Sequence, residues 1–160
     1  MYKTLLLFFA VLIFSTSCNK QDEEPEQLSI DYIVFGHFYG FCVGEACIEM
    51  FKLTDEGLYE NTSDTYPRWD RIDPGKWVKL DQEKYEQVKS LRNHIPQQLL
   101  SANDTVFGAP DAADGGGIYF AVVENDETKF WLFDQMDENI PGYLRPFKEQ
   151  INASISMIND

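Results

Sequence analysis

Ile30-Asp31-Tyr32-Ile33-Val34-Phe35-Gly36-His37-Phe38-Tyr39-Gly40-Phe41-Cys42-Val43-Gly44-Glu45-Ala46-Cys47-Ile48-Glu49-Met50-Phe51-Lys52-Leu53 is the stretch on which the fold turns. From Ile30 to Phe41 apolar side chains fall on both alternating faces, the pattern of a strand inside a sheet rather than at its edge. Ala46 to Leu53 reads as its neighbour, with Glu49 and Lys52 interrupting the apolar run. Gly44 can open a two-residue turn between them. Val43 then faces Ala46, and Cys42 lies opposite Cys47 with Cα atoms about 4.5 Å apart. A disulfide can bridge that separation. Closing so short a loop stabilises by about 2 kcal/mol, and it pins a register that a one-residue slip would invert. The C-x4-C spacing is not the C-x-x-C of redox sites. Zinc is disfavoured too, because His37 is the only nearby histidine and no second cysteine pair exists.

Outward from this hairpin, Asp55-Glu56-Gly57 forms a second turn and Leu58 to Thr62 a third strand. Ser63 to Gly75 has no periodicity, and Trp77 to Leu80 is a brief strand. Asp81 can cap a helix by accepting backbone N–H groups. Leu80 and Tyr85 sit where a hydrophobic staple needs them. Tyr85, Val88, Leu91 and Ile95 give that helix one apolar stripe, and Pro96 ends it. Strands Ile118 to Glu124 and Thr128 to Asp134 follow a Gly-rich turn and are joined through Asn125-Asp126-Glu127. Leu144, Phe147, Ile151, Ile155 and Ile158 recur every three or four residues, an amphipathic helix entered through Pro141 and Pro146. Hairpin-linked strands with two helices predict an α+β domain over residues 28–160. Its expected architecture is an antiparallel sheet of about six strands with both helices packed on one face.

Upstream, Lys3 precedes ten apolar residues, Leu5 to Phe14, a run too short to span a membrane but suited to a signal peptide. Ser15-Thr16-Ser17 then lead into Cys18, small residues for a peptidase pocket followed by a thiol that can carry lipid. These residues resemble the signal of a bacterial lipoprotein. Ser15 departs from the usual Leu, Val or Ile, as in the relaxed versions used by Bacteroidota. The resemblance implies a signal over residues 1–17, Cys18 acylated at the mature N-terminus, and attachment to the outer membrane. Residues 18–27 are polar and acidic, and read as a flexible tether. Their Lys20-x-Asp22-Glu23-Glu24 pattern is similar to the export signal that places Bacteroidota lipoproteins on the cell surface. The hairpin around Phe41 to Cys47, with its following strands and helix, also looks similar in layout to small envelope proteins of uncharacterised function. Cysteine arithmetic agrees. With Cys18 lipidated, Cys42 and Cys47 are left as a pair in an oxidising compartment.

The chain of 160 residues carries 27 acidic and 13 basic side chains, for a formal charge of −14. No basic stripe exists to neutralise phosphates, so nucleic acid is excluded as a partner. At 44% hydrophobic residues the chain can build a core and is not disordered. No G-x-S-x-G, H-E-x-x-H or phosphate-cradling Gly-rich loop is present, so no catalytic residue and no cofactor are assigned. Paired carboxylates leave a small hydrolase as a minor alternative. Asp111 and Asp114, ahead of three glycines, form an acidic loop that could offer oxygens to a cation. The chain lacks the EF-hand pattern, however, and a solvated turn is the simpler expectation. From Asn103 to Glu138 nine acids meet a single base, Lys129, which gives either an electrostatic face or ordinary solubility. Tyr66, Arg68, Trp69 and Arg71 are the candidate binding residues, being of the types that dominate contact energies. Tyr66 and Trp69 could instead cover one end of the sheet. The expected activity is therefore non-enzymatic binding of a protein or glycan by a membrane-anchored domain. The runner-up is a periplasm-facing accessory subunit of an envelope complex.

Overall fold

The structure, a computed structural model, describes residues 30–42 and 44–160. The signal peptide, Cys18 and the tether lie outside the described residues, as does Val43. Seven strands form one sheet: β1 (Tyr32–Phe38), β2 (Ile48–Thr54), β3 (Leu58–Asn61), β4 (Trp77–Lys79), β5 (Val106–Phe107), β6 (Gly117–Glu124) and β7 (Glu127–Asp134). Three α-helices accompany them: α1 (Gln82–Val88), α2 (Gln97–Leu100) and α3 (Arg145–Asn159). The strand order is β4-β3-β2-β1-β6-β7-β5. β1 thus lies inside the sheet between β2 and β6, as its two apolar faces require.

The α+β reading holds, with three corrections. The sheet is mixed rather than wholly antiparallel, because the two-residue strand β5 runs parallel to β7 at the edge. The α1 segment tightens into a 3-10 turn over Lys89–His94, and α2 follows Pro96 as a third helix. The third correction concerns the first hairpin. Phe38 is paired with Ile48, not with Phe51, so the ladder ends beside Cys47 and short of Cys42. Gly44 does take a positive φ of 122°, but it leads into a 3-10 turn over Glu45–Cys47 rather than a two-residue turn. The last link across is Tyr39 N–H to the Cys47 carbonyl at 2.9 Å. Beyond it Gly40 N–H turns away to a side chain of another loop.

One face of the sheet carries the main core. Phe35, Phe51, Phe120, Trp131 and Phe133 are fully buried there under α1 and α3. Asp81 caps α1 by accepting from Lys84 N–H at 3.0 Å. Val88 and Leu91 bury the stripe's centre, with Tyr85 and Ile95 half-buried at its ends. Leu144 at the N-cap of α3 and Phe147, Ile151, Ile155 and Ile158 within it are all buried, and the Phe147 ring meets Phe120 edge-on at 4.9 Å. Burial of such side chains contributes about 1.5–3 kcal/mol each, which makes this face the source of most of the domain's stability. The opposite face is built from Val34, Phe38, Met50, Tyr119, Ala121 and Leu132. Among the described residues no helix covers it; the segment 62–76 lies across it instead, contributing Tyr66 and Ile72. Among the described residues no helix is long and apolar enough to cross a membrane.

Candidate functional site: the loops over the second sheet face

A single carboxylate joins loop 39–47 to loop 62–76, the segment that lies across this second face. Asp111 Oδ1 accepts from Gly40 N–H at 3.0 Å and from Gly116 N–H at 3.2 Å. Its Oδ2 accepts from the Tyr66 hydroxyl at 3.0 Å. Loop 39–47, loop 62–76 and the turn before β6 are therefore held by one side chain. Asp111 itself adopts a left-handed backbone (φ 62°), which short polar side chains tolerate best among non-glycine residues. At Gly116 (φ 74°) an added Cβ would fall 2.1 Å from the Tyr39 ring, so that turn requires glycine on two counts.

This assigns Asp111 a role the sequence left open: its oxygens serve protein donors. Asp114 is exposed and takes no part in the tie. Among the described residues no group of three or more His, Cys, Asp or Glu gathers in a way that could hold a metal ion. Cys42 and Cys47 are disulfide-bonded with Cα atoms 5.6 Å apart. The bond staples loop 39–47 rather than the strand ladder, which explains the wider spacing than the expected cross-strand pair. On that loop Phe41 is 86% exposed. Sequence reasoning placed Phe41 in a strand and so missed it as a surface aromatic.

The four candidate binding residues separate into two groups. Tyr66 packs edge-on against Phe38, with ring centroids 5.1 Å apart. Burial, together with its hydrogen bond to Asp111, pushes its hydroxyl up to about 12. Tyr66 is a positioning residue for the loop. Trp69 is 51% exposed. Arg68 forms an exposed pair with Asp70 at 3.2 Å, which contributes little energy. Arg71 pairs with no carboxylate among the described residues. Arg68 and Arg71 line a small cleft with Pro67, Ile72, Trp77 and Tyr119, of about 20 Å³, room for one water-sized group. Tyr119 closes its inner side. That residue is 3% exposed, its hydroxyl meets no partner, and burial raises its pKa.

Beside this cleft Lys52 is ringed by aromatics, its Nζ 4.9 Å from the Trp77 centroid, 5.0 Å from Tyr59 and 5.8 Å from Tyr32. Cation–π contact of this kind is worth about 0.5–1 kcal/mol at partly exposed sites. Burial lowers the Lys52 pKa. The loop surface therefore joins exposed aromatics to cations in a chain that is acidic overall.

Of the two histidines, His37 reaches loop 39–47 through Ala46 and the Tyr39 ring, and His94 bonds within its own turn. His37 faces Glu49 across β1 and β2, its Nε2 2.9 Å from Glu49 Oε2 and 3.0 Å from the Ala46 carbonyl oxygen. Asn159 at the end of α3 donates to the other Glu49 oxygen at 2.8 Å. His94 Nδ1 lies 2.9 Å from the Ser90 carbonyl oxygen. Both imidazoles are thus engaged in local packing. No protein-family model matches the chain, and no curated protein matches it.

Proposed function

We propose that the chain is a lipid-anchored outer-membrane protein whose domain acts as a non-enzymatic binding module, facing the cell surface. Cys18 would carry the lipid, residues 18–27 would supply reach, and the paired loops would make the contact. A multiply acylated cysteine is needed for stable anchoring, since a single chain gives only reversible attachment. The observation that carries the reading is the Asp111 tie. It fixes loop 39–47 and loop 62–76 to each other, and these loops present Phe41 and Trp69 to solvent. Preorganised aromatics lose little entropy on binding, so exposed rings on tied loops are suited to a protein surface or a sugar ring.

Two measurements test this. Labelling of intact cells with a membrane-impermeant reagent should modify the domain without lysis. Protection until the outer membrane is opened would instead favour the periplasm-facing accessory subunit. Affinity electrophoresis against soluble neutral and acidic polysaccharides, and against purified host surface proteins, then searches for the ligand. Trp69→Ala should abolish retardation by any ligand found while leaving the melting temperature close to wild type. A large drop in melting temperature would make the indole a packing element and remove it from the contact surface.

A further inference from the structure

On the second sheet face a row of side chains runs straight across four strands. Val34 of β1 faces Lys52 of β2, Lys52 faces Tyr59 of β3, and Tyr59 faces Lys79 of β4. Directly opposite residues share a face, and strands lie about 4.8 Å apart. The two lysines therefore leave the sheet about 10 Å apart with the Tyr59 position between them. Both ammonium groups approach that ring, Lys52 Nζ at 5.0 Å and Lys79 Nζ at 5.9 Å from its centroid. Trp77 approaches Lys52 as well, at 4.9 Å. Lys52, Tyr59 and Trp77 are half-buried and Lys79 is exposed, so each keeps surface that a ligand can touch.

The charges here are the anomaly. With 27 acids against 13 bases in the chain, a cation should readily find a carboxylate. Lys52 pairs with none among the described residues, and its lowered pKa is due to burial with no neighbouring charge contributing. Lys79 pairs with none either, and donates only to the Glu56 carbonyl oxygen at 3.2 Å. Arg71 adds a third unpaired cation, lining the small cleft together with Trp77. The acids nearby are engaged elsewhere. Asp73 accepts from Gly75 N–H at 2.8 Å, and Asp31 from Asn125 N–H at 2.8 Å. The row thus offers two ammonium groups without a counter-anion and aromatic faces that give flat contact at low entropy cost. A bare inorganic anion would use only the cations, and a neutral sugar only the rings. We propose that this row binds a uronic-acid residue of an acidic polysaccharide. Its carboxylate bridges Lys52 and Lys79 through charge-assisted hydrogen bonds, and its ring lies against Tyr59 and Trp77. The inference rests on the reading of the domain as a binding module and names a ligand class for it, on a row of residues distinct from Phe41 and Trp69.

The test follows the indole N–H resonances of the full-length protein in detergent, labelled with 15N at tryptophan. The chain has three tryptophans, and Trp69→Phe and Trp77→Phe each delete one signal and so assign all three. The probes are trigalacturonate and trimannuronate, with their methyl esters as neutral controls and triglutamate as an acid without sugar rings. At least one uronate should shift the Trp77 signal saturably by about 10 mM, where a site with Kd near 1 mM is about nine-tenths filled. The signal of Trp131, buried on the other face, should stay in place. The esters should leave Trp77 unmoved, and triglutamate should bind at least about tenfold more weakly. Lys52→Met with Lys79→Met keeps both apolar stems and removes both charges, and should weaken uronate binding about tenfold or more, a change of about 1.4 kcal/mol. Lys79→Met alone, at an exposed position, should weaken it about threefold with the melting temperature unchanged, which keeps the test intact if the double variant folds poorly. A Trp77 signal unmoved by both uronates would overturn the proposal. So would equal binding of the esters or of triglutamate, or an unchanged affinity in Lys79→Met. A shift confined to Trp69 would overturn this site while supporting the loop surface, so the two readings fail separately.

Discussion

Replacing Tyr119 with Phe should make the protein more stable and a poorer binder. Tyr119 lies inside β6, opposite Gly36 of β1 and Leu132 of β7. Its ring is part of the second face, and the ladder does not depend on its hydroxyl. That hydroxyl is buried without a partner, and an unsatisfied buried polar group costs about 1–3 kcal/mol. Phenylalanine removes this cost and keeps the ring. It also leaves a void of about one oxygen atom, which at ~24 cal/mol per Å³ costs only a few tenths of a kcal/mol. The net expectation is a gain of about 1 kcal/mol, or about 4 °C in melting temperature for a domain of this size. The assay is a denaturant titration, with the midpoint rising at constant slope so that the gain belongs to the native state. If the hydroxyl reaches into the Arg68–Arg71 cleft to meet a ligand, the same variant loses affinity for whatever the loop surface binds. A loss of about 1 kcal/mol of stability would refute the reasoning, because it would mean that the hydroxyl is hydrogen-bonded in the native protein.

Other expectations follow from the loop attachments. Changing both Cys42 and Cys47 to Ser should cost about 2 kcal/mol, read as a lower denaturant midpoint; an unchanged midpoint would show that the loop is ordered without the bond. Asp111→Ala strands three donors and should cost about 2 kcal/mol, since hydrogen bonds to charged groups are worth about 1.5–3 each when buried and less when partly solvated. Limited proteolysis should then cut within 62–76 first, and cutting elsewhere would show that the loop is held by other contacts. At high pH, the Tyr66 hydroxyl, raised to about 12, favours the folded state as long as it stays protonated. Its contribution should be fully present below pH ~10 and be lost as pH rises towards about 12. Wild type should therefore lose more stability over that window than Tyr66→Phe, and equal losses would remove Tyr66 as the cause.

How much of this was legible in the sequence depends on the range of the forces involved. The two apolar faces of β1, the stripe on α3 and the cap at Asp81 are local patterns, and each appears where the periodicity put it. The hairpin register is not local. Gly44 permits a positive φ, but several turns can use one. The ladder stops at Phe38 and Ile48 because Phe38 packs under Tyr66 and Gly40 is drawn to Asp111, both distant in the chain. β5 has only two residues and so no period to detect. Within the site, residue chemistry singles out loop 62–76, where aromatics and arginines gather. It could not distinguish Tyr66, which holds the loop, from Trp69, which is exposed, because that difference is made by Asp111.

The two faces of the sheet divide the work in a way that bears on the loop surface itself. Stability comes mainly from the helix-covered face, where five buried aromatics and the α3 stripe lie on the opposite side of the sheet from segment 62–76. The second face is covered by a segment without regular structure, and backbone in such a segment needs outside anchors to keep one conformation. Here the anchors include the disulfide within loop 39–47, the Asp111 carboxylate between loops, the Tyr66 ring on Phe38 and the hydrogen bonds that close the base of loop 62–76. Trp69, Arg71 and Phe41 are none of these anchors. Their side chains can therefore change without disturbing what holds the backbone, whereas Asp111 and Tyr66 cannot. A surface whose exposed residues are separable from its anchors is one on which contact chemistry can vary while the fold stays constant.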